Sequence, residues 1–152
     1  RPVLRAFKGV EHRIEFVRAL AGVSYYNDSK ATNTDSAIKA LEAFDGHIIL
    51  IAGGDDKLTD LGEFMELVHA RVDELILVGD AAERFAAAAR DAGIPEAQIH
   101  RVGYHMEKAV QLARELAAAG QIVLLSPACA SFDMYGGYEE RGRDFKRLVN
   151  EL

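Results

Sequence analysis

Apolar side chains recur at two different spacings along the chain, and the alternation between them predicts the fold. From 11 to 20, Ile14, Val17 and Leu20 stand three apart, the spacing of a helical stripe; the run VSYYN at 23 to 27 has the aromatic and β-branched content of a short strand. Asn33 suits the cap of a helix on which Ala37, Ile38, Leu41 and Phe44 share one face, and Asp45-Gly46 is its stop signal. HIILIAGG follows, apolar without interruption. A strand apolar on both faces is expected where helices cover both sides of a parallel sheet.

The same grammar then repeats. A helix around 60 to 72 (Phe64, Leu67, Val68, Val72) precedes the strand ELILVG. A helix from Asp80 to Ala92, stopped by Gly93 and Pro95, precedes a short strand from Ile99 to Val102. A helix over about 105 to 119 leads through Gly120 into QIVLLSP, and a last helix, roughly 138 to 150, turns Phe145, Leu148 and Val149 inward. Strands alternating with helices predict right-handed βαβ units and an α/β three-layer sandwich with a mostly parallel sheet. No linker, low-complexity segment or internal repeat interrupts residues 1–152, so one domain is expected. Ligands of such sheets gather at the carboxyl ends of the strands, which directs attention to the loops after 27, 52, 79, 102 and 125.

Composition narrows the chemistry. With 18 Lys and Arg against 24 Asp and Glu, the chain carries a formal charge of −6, and it has no long basic run. Nucleic acid is therefore not an expected partner. The single Cys129 cannot form an internal disulfide, and no CxxC pair is present, which fits a reducing cytoplasmic setting. No apolar run approaches the roughly 20 residues that span a bilayer. Arg1, Arg5, Lys8, Arg13 and Arg18 interrupt the first 20 residues where a signal sequence would be apolar, so neither secretion nor a membrane partner is expected. The chain starts at Arg1 instead of Met, which suggests a piece processed or excised from a longer polypeptide. The five histidines lack metal-ligand spacing, and no metal site is expected here.

Three strand-end loops are chemically unusual. NDSKATN at 27 to 33 combines Asp28, Lys30 and two hydroxyls with a helix N-terminus, whose free N–H groups and dipole favour an anion. The plainer alternative is that Asp28 and Asn33 only shape the turn and cap the helix. Gly53-Gly54-Asp55-Asp56-Lys57 lets backbone approach a ligand and places a point charge beyond it, although a flexible turn with a solvated lysine would look the same. Neither GxGxxG nor GxxxxGK[ST] occurs in the chain. SPACASFD at 126 to 133 offers small residues that keep a pocket open, with the Ser131 hydroxyl beside Phe132. Cys129 has no histidine near it in sequence and is expected to be an inert buried thiol.

Taken together, HRIE at 12 to 15, NDSKATN, AGGDDK at 52 to 57, LSPACASFD at 125 to 133 and YEERGRDF at 138 to 145 resemble, in order and spacing, the C-terminal domain of the Mur ligases. The likeness covers practically the whole chain and is nearest to the members that add D-glutamate. It implies a Rossmann-like domain that brings the amino acid to a cytoplasmic step of peptidoglycan synthesis. There ATP converts the carboxylate of UDP-N-acetylmuramoyl-L-alanine to an acyl phosphate, and the amine of D-glutamate displaces phosphate to form the amide. The UDP-binding domain and the central domain, which carries the P-loop and holds most of the ATP and Mg2+, would be the chain's own N-terminal and central partners and are absent from it. On this resemblance Arg13 reaches the ATP phosphates, Asp28 lies on the ribose side, Lys30 serves the cofactor and the amino acid alike, and Thr32, Lys57, Ser131 and Phe132 form the D-glutamate pocket. Tyr138, which stands where relatives often have Phe, joins the substrate-binding set through a backbone contact. No catalytic residue is expected in this domain alone. A sister Mur ligase, a folylpolyglutamate synthase domain, or a stand-alone nucleotide or amino-acid binding module would share much of this pattern.

Overall fold

The computed structural model describes residues 9–152; Arg1, Arg5 and Lys8 of the basic N-terminal stretch lie outside them. Six strands, β1 Glu15–Leu20, β2 Val23–Asn27, β3 Ile48–Gly53, β4 Val72–Val78, β5 Ile99–Arg101 and β6 Ile122–Leu125, form one sheet in the order β1-β2-β6-β3-β4-β5. All neighbours are parallel except β1 and β2. Helices α1 Thr34–Glu42, α2 Gly62–Arg71 and α3 Ala82–Asp91 cover one face, packing Leu41, Phe64, Met65 and Phe85 onto Tyr26, Leu50 and Leu77. Helices α4 Met106–Leu116 and α5 Tyr138–Asn150 cover the other, packing Met106, Val110, Phe145 and Val149 onto Tyr25, Ile49, Ile51 and Ile76. The expected α/β sandwich is thus present, and the central strand β3 is buried at all six positions, as its uninterrupted apolar sequence requires. No described helix is long and apolar enough to cross a membrane.

The helix expected over 11 to 20 is not there. Residues 15–20 form β1, an edge strand antiparallel to β2. The two strands join through Ala21 and Gly22, both at positive φ (54° and 81°), the geometry of a two-residue hairpin turn. A bulge explains the misleading periodicity. Phe16 opposes Tyr26 and Arg18 opposes Tyr25, so Val17 is an extra residue, and the strand reverses its facing there. Val17 and Leu20 consequently pack on the α5 side together, while Phe16 packs edge-on against Tyr26 on the opposite side. A spacing of three on one face is the signature of that bulge, not of a helix.

Smaller differences have local causes. Val72, read as the last helical residue, opens β4. The helix from 105 ends at Leu116, with Ala117 extended, and Pro95 leads into one 3₁₀ turn, Glu96–Gln98, before β5. Asn33 caps α1 as anticipated, its side chain accepting from the Ser36 N–H at 2.9 Å.

Candidate functional site

Chain direction places the loops of interest together. The helices after β2 and β3 pack on one face of the sheet, whereas the helix after β6, which lies between them, packs on the other. Connections diverge on either side of β6, the arrangement in which such sheets leave room for a ligand at the carboxyl ends of their strands. Backbone hydrogen bonds stitch the loops there into one surface. The Asp28 N–H donates to the Leu125 carbonyl at 2.7 Å, Ser126 to Ile51 at 3.2 Å, Gly53 to Pro127 at 3.0 Å, Ala128 to Ala31 at 2.9 Å and Asp55 to Ala130 at 2.9 Å. SPACASFD is therefore the direct neighbour of NDSKATN on one side and of GGDDK on the other, although the three are far apart in sequence.

On the β2 side, Arg13, Ile14, Asp28, Lys30, Ser36 and Lys39 line a cavity of about 250 Å³ at the N-terminus of α1. Three cations and a helix dipole make this an anion-receptive pocket in a chain that is acidic as a whole. Arg13 is exposed on a turn whose flanking residues His12 and Ile14 both have positive φ, 70° and 43°. That unfavourable backbone is held by its surroundings. The His12 carbonyl accepts from Lys30 N at 2.9 Å, and Ile14 N donates to the Asp28 carboxylate at 2.9 Å. Beneath the turn, the Asn27 side chain accepts from Ser29 N at 3.1 Å, which orients its amide. It thereby donates to His12 Nδ1 at 2.9 Å and to Glu15 Oε1 at 3.0 Å. His12 is buried and its Nδ1 is used as an acceptor; burial also lowers its pKa, so the ring is neutral with its proton on Nε2.

Asp28 is only 3% exposed, and burial raises its pKa to about 7 despite hydrogen bonds from Ser126 Oγ at 2.7 Å and Ile14 N and the nearby charges of Arg13 and Arg141. A carboxyl that binds its proton more tightly folded than unfolded stabilises the fold below its ordinary value of 3.8 and up toward 7, and that contribution is lost as pH rises through about 7. Asp28→Asn is therefore expected to be more stable than the parent at pH 8. The advantage should shrink by on the order of 1–3 kcal/mol on going to pH 5. Thermal melts of both proteins across this range measure it, and a stability difference independent of pH would refute it.

Lys30 Nζ donates to the Tyr138 hydroxyl at 3.0 Å and lies 5.0 Å from the centre of its ring. The Tyr138 carbonyl accepts from Ser29 Oγ at 2.8 Å. Thr32 follows, its N–H donating to the Lys30 carbonyl at 2.9 Å. Lys57 is exposed and makes no ion pair among the described residues. Ser131 is buried with its Oγ unpartnered, and Phe132, 68% exposed, projects from the same loop. The structure thus gathers Arg13, Asp28 and Lys30 round one cavity, joins Lys30 to Tyr138, and sets Lys57 and Ser131 on adjoining loops. It records no contact between Lys57 and Thr32 or Ser131. Cys129 is buried, and burial pushes its thiol up to about 12, so it is no nucleophile at neutral pH.

Arg141, within the YEERGRDF run, has no role of its own in the sequence pattern. It is 2% exposed on α5, donating through Nε to Ser29 Oγ at 2.9 Å and through Nη2 to the Ser29 carbonyl at 2.8 Å. Burial draws its pKa down to about 10, and it remains charged at neutral pH. The available signal was its position four residues before Phe145 on the inward stripe, where a cation is out of place. Among the described residues Glu11, His12 and Glu15 are spaced to hold a metal ion, but Lys146 Nζ already occupies the group, 2.7 Å from Glu11 and 3.2 Å from Glu15.

A doubly covered, mostly parallel α/β sheet with a cavity lined by three cations at the carboxyl end of β2 is the architecture of a Rossmann-like domain. The chain belongs to the Mur ligases: the family model "Mur ligase, glutamate ligase domain" matches residues 12–129. It is 51% identical to the UDP-N-acetylmuramoylalanine--D-glutamate ligase of Thermoanaerobacter sp. (strain X514) over 98% of this chain and 33% of that protein. The enzyme of the same name from Clostridioides difficile (strain 630) is 49% identical over 100% of this chain and 33% of its own. The chain thus spans about a third of the length of these curated relatives. Among solved structures, a murein peptide ligase of Psychrobacter arcticus (TM-score 0.60, 14% identity, 99% of this chain and 32% of that one) shares the fold. So does the ADP complex of Mycobacterium tuberculosis folylpolyglutamate synthase (TM-score 0.65, 15% identity, 90% of this chain and 32% of that one).

Proposed function

We propose that this chain is the C-terminal, amino-acid-presenting domain of an ATP-dependent ligase that joins D-glutamate to UDP-N-acetylmuramoyl-L-alanine in cytoplasmic peptidoglycan synthesis. The observation that carries the reading is the anion-receptive cavity lined by Arg13, Lys30 and Lys39, with the SPACASFD loop bonded on one side to Ala31 beside that cavity and on the other to Asp55 of the loop that carries the unpaired Lys57. The names of relatives about 50% identical to it support the choice of amino acid.

D-Glutamate carries two carboxylates and an amine, so its pocket needs donors for two anions and room for a nucleophile. Lys57 and Lys30 supply charge, and the buried, unpartnered Ser131 hydroxyl is a donor without an acceptor in the fold itself. The Arg13 cavity fits a polyphosphate: three cations and a helix N-terminus surround it, and Asp28 offers a carboxylate beside them. ATP supplies the phosphoryl group that activates the acceptor carboxylate. The work of this chain is positioning the attacking amine and neutralising charge, which needs no nucleophile of its own. Mg2+ finds no open ligand set among the described residues, because Lys146 fills the Glu11/Glu15 group, and we assign it to the central domain together with the P-loop. Closure of this domain onto those partners would then assemble the site.

The test is phosphate release by the complete ligase with ATP, UDP-N-acetylmuramoyl-L-alanine and a panel of amino acids. Turnover with D-glutamate and not with lysine or meso-diaminopimelate is expected. Preference for either of those, or for a folate acceptor, would move the chain to a sister ligase, and absence of any amide product would indicate a binding module.

A further inference from the structure

Lys57 lies between two acids of its own loop, Asp56 before it and Asp60 after it, and Asp55 is one residue further back. A flexible loop of this composition would let the ammonium pair with its neighbours. Among the described residues the ammonium makes no ion pair, and Asp56, the acid next to it, is engaged from a different element. Arg84 of α3 donates to Asp56 through both arms of its guanidinium, Nε to Oδ2 at 2.7 Å and Nη2 to Oδ1 at 2.8 Å. The Asp56 side chain is 14% exposed and that of Arg84 35%, so the carboxylate is the more sheltered partner of a half-buried pair. Oδ1 also accepts from Leu58 N at 2.8 Å, closing a turn with Lys57 at its centre.

The turn is strained and is held by two further contacts. Leu58, 74% exposed, sits at φ 60°, a conformation that a branched apolar residue does not adopt without external constraint. Asp55 N is bonded to Ala130 O, and Ala81 N, just ahead of α3, donates to Gly54 O at 2.9 Å. Loop and helix are therefore one unit, and both oxygens of Asp56 are in use. The Arg84 hydrogen bonds lower the Asp56 pKa and raise that of Arg84, as a charged pair in this geometry requires.

We propose that Arg84 is a positioning residue for Lys57: by engaging Asp56 bidentately it fixes the loop after β3 and keeps its nearest carboxylate from capturing the Lys57 ammonium, which stays free for a substrate carboxylate. This deepens the D-glutamate reading and rests on it. The role belongs to the pair. Removing the guanidinium alone loosens the turn and also releases a competing anion beside Lys57, whereas removing both charges only loosens the turn.

That asymmetry is measurable in the complete ligase. Arg84→Met is expected to raise the KM for D-glutamate about 5- to 20-fold, leaving kcat and the KM for ATP within about 2-fold. Arg84→Lys, which keeps charge without the fork, should give an intermediate rise. Arg84→Met combined with Asp56→Asn should be milder than Arg84→Met alone. In a Lys57→Ala background Arg84→Met should add less than about 2-fold, since its effect passes through Lys57. An equal effect in both backgrounds, an equal rise in the KM for ATP, or a double variant worse than the single one would show that the pair only supports the fold and would overturn the proposal. If Lys57→Ala raises the KM for D-glutamate while Arg84→Met does not, the positioning role alone fails. If Lys57→Ala leaves that KM unchanged, the substrate reading fails and takes the positioning role with it.

Discussion

Gly142→Ala is expected to destabilise the domain by roughly 2–4 kcal/mol, even though alanine is the better helix former by about 1 kcal/mol. Gly142 is buried within α5, and a Cβ there would overlap the His12 imidazole at Nδ1 and stand 3.1 Å from Asn27 Nδ2. Neither neighbour can yield cheaply. His12 is 3% exposed and bonded to Asn27, and Asn27 is fixed in turn by Ser29 N and Glu15. Displacing the ring disturbs the Arg13 turn above it, whose His12 carbonyl accepts from Lys30 N. The same change should therefore impair nucleotide use beyond its effect on stability. Chemical denaturation measures the first effect. Pairing Gly142→Ala with His12→Ala, which removes the obstructing ring, should recover part of the loss, and strict additivity of the two would show that the clash is not its cause.

This packing also shows where sequence reading reaches its limit. The layered fold was legible because its signal is local: the unbroken apolar run of β3 and the inward stripe of α5 each state which faces are covered. β1 was misread because a bulge at Val17 turns a period of two into a spacing of three, and nothing nearby in sequence marks the bulge. The loops carrying Lys30, Lys57 and Ser131 stood out through composition at strand ends. Their mutual arrangement did not, since it depends on backbone bonds such as Asp55 to Ala130 that join residues 75 positions apart. Arg141 and His12, inside quoted motifs, and Arg84, outside them, show no individual role in the sequence for the same reason. Each gains its meaning from a partner on another element: Ser29, Gly142 and Asp56 respectively.

The division of labour between the two sides of the SPACASFD loop leads to the other large effect. Lys57→Ala is expected to lower kcat/KM for D-glutamate by about 10- to 150-fold, which corresponds to the roughly 1.5–3 kcal/mol of a charge-assisted hydrogen bond to a carboxylate, while the KM for ATP moves little. Lys57 can serve in this way because it is exposed, makes no ion pair among the described residues, and lies on a loop tied to the Ser131 segment through Asp55 and Ala130. Arg13→Ala should show the reverse pattern. Its side chain lines the cavity at the start of α1 with Lys30 and Lys39, and D-glutamate has no need of a third cation there, whereas a chain of phosphates does. Neither substitution removes a buried group, so both variants should melt close to the parent, and changes in turnover can be assigned to binding. Steady-state kinetics of the complete ligase, with each substrate varied at saturating levels of the others, separates the two effects. A selective loss for ATP in both variants would place both loops on the nucleotide side and leave the amino acid to be held elsewhere.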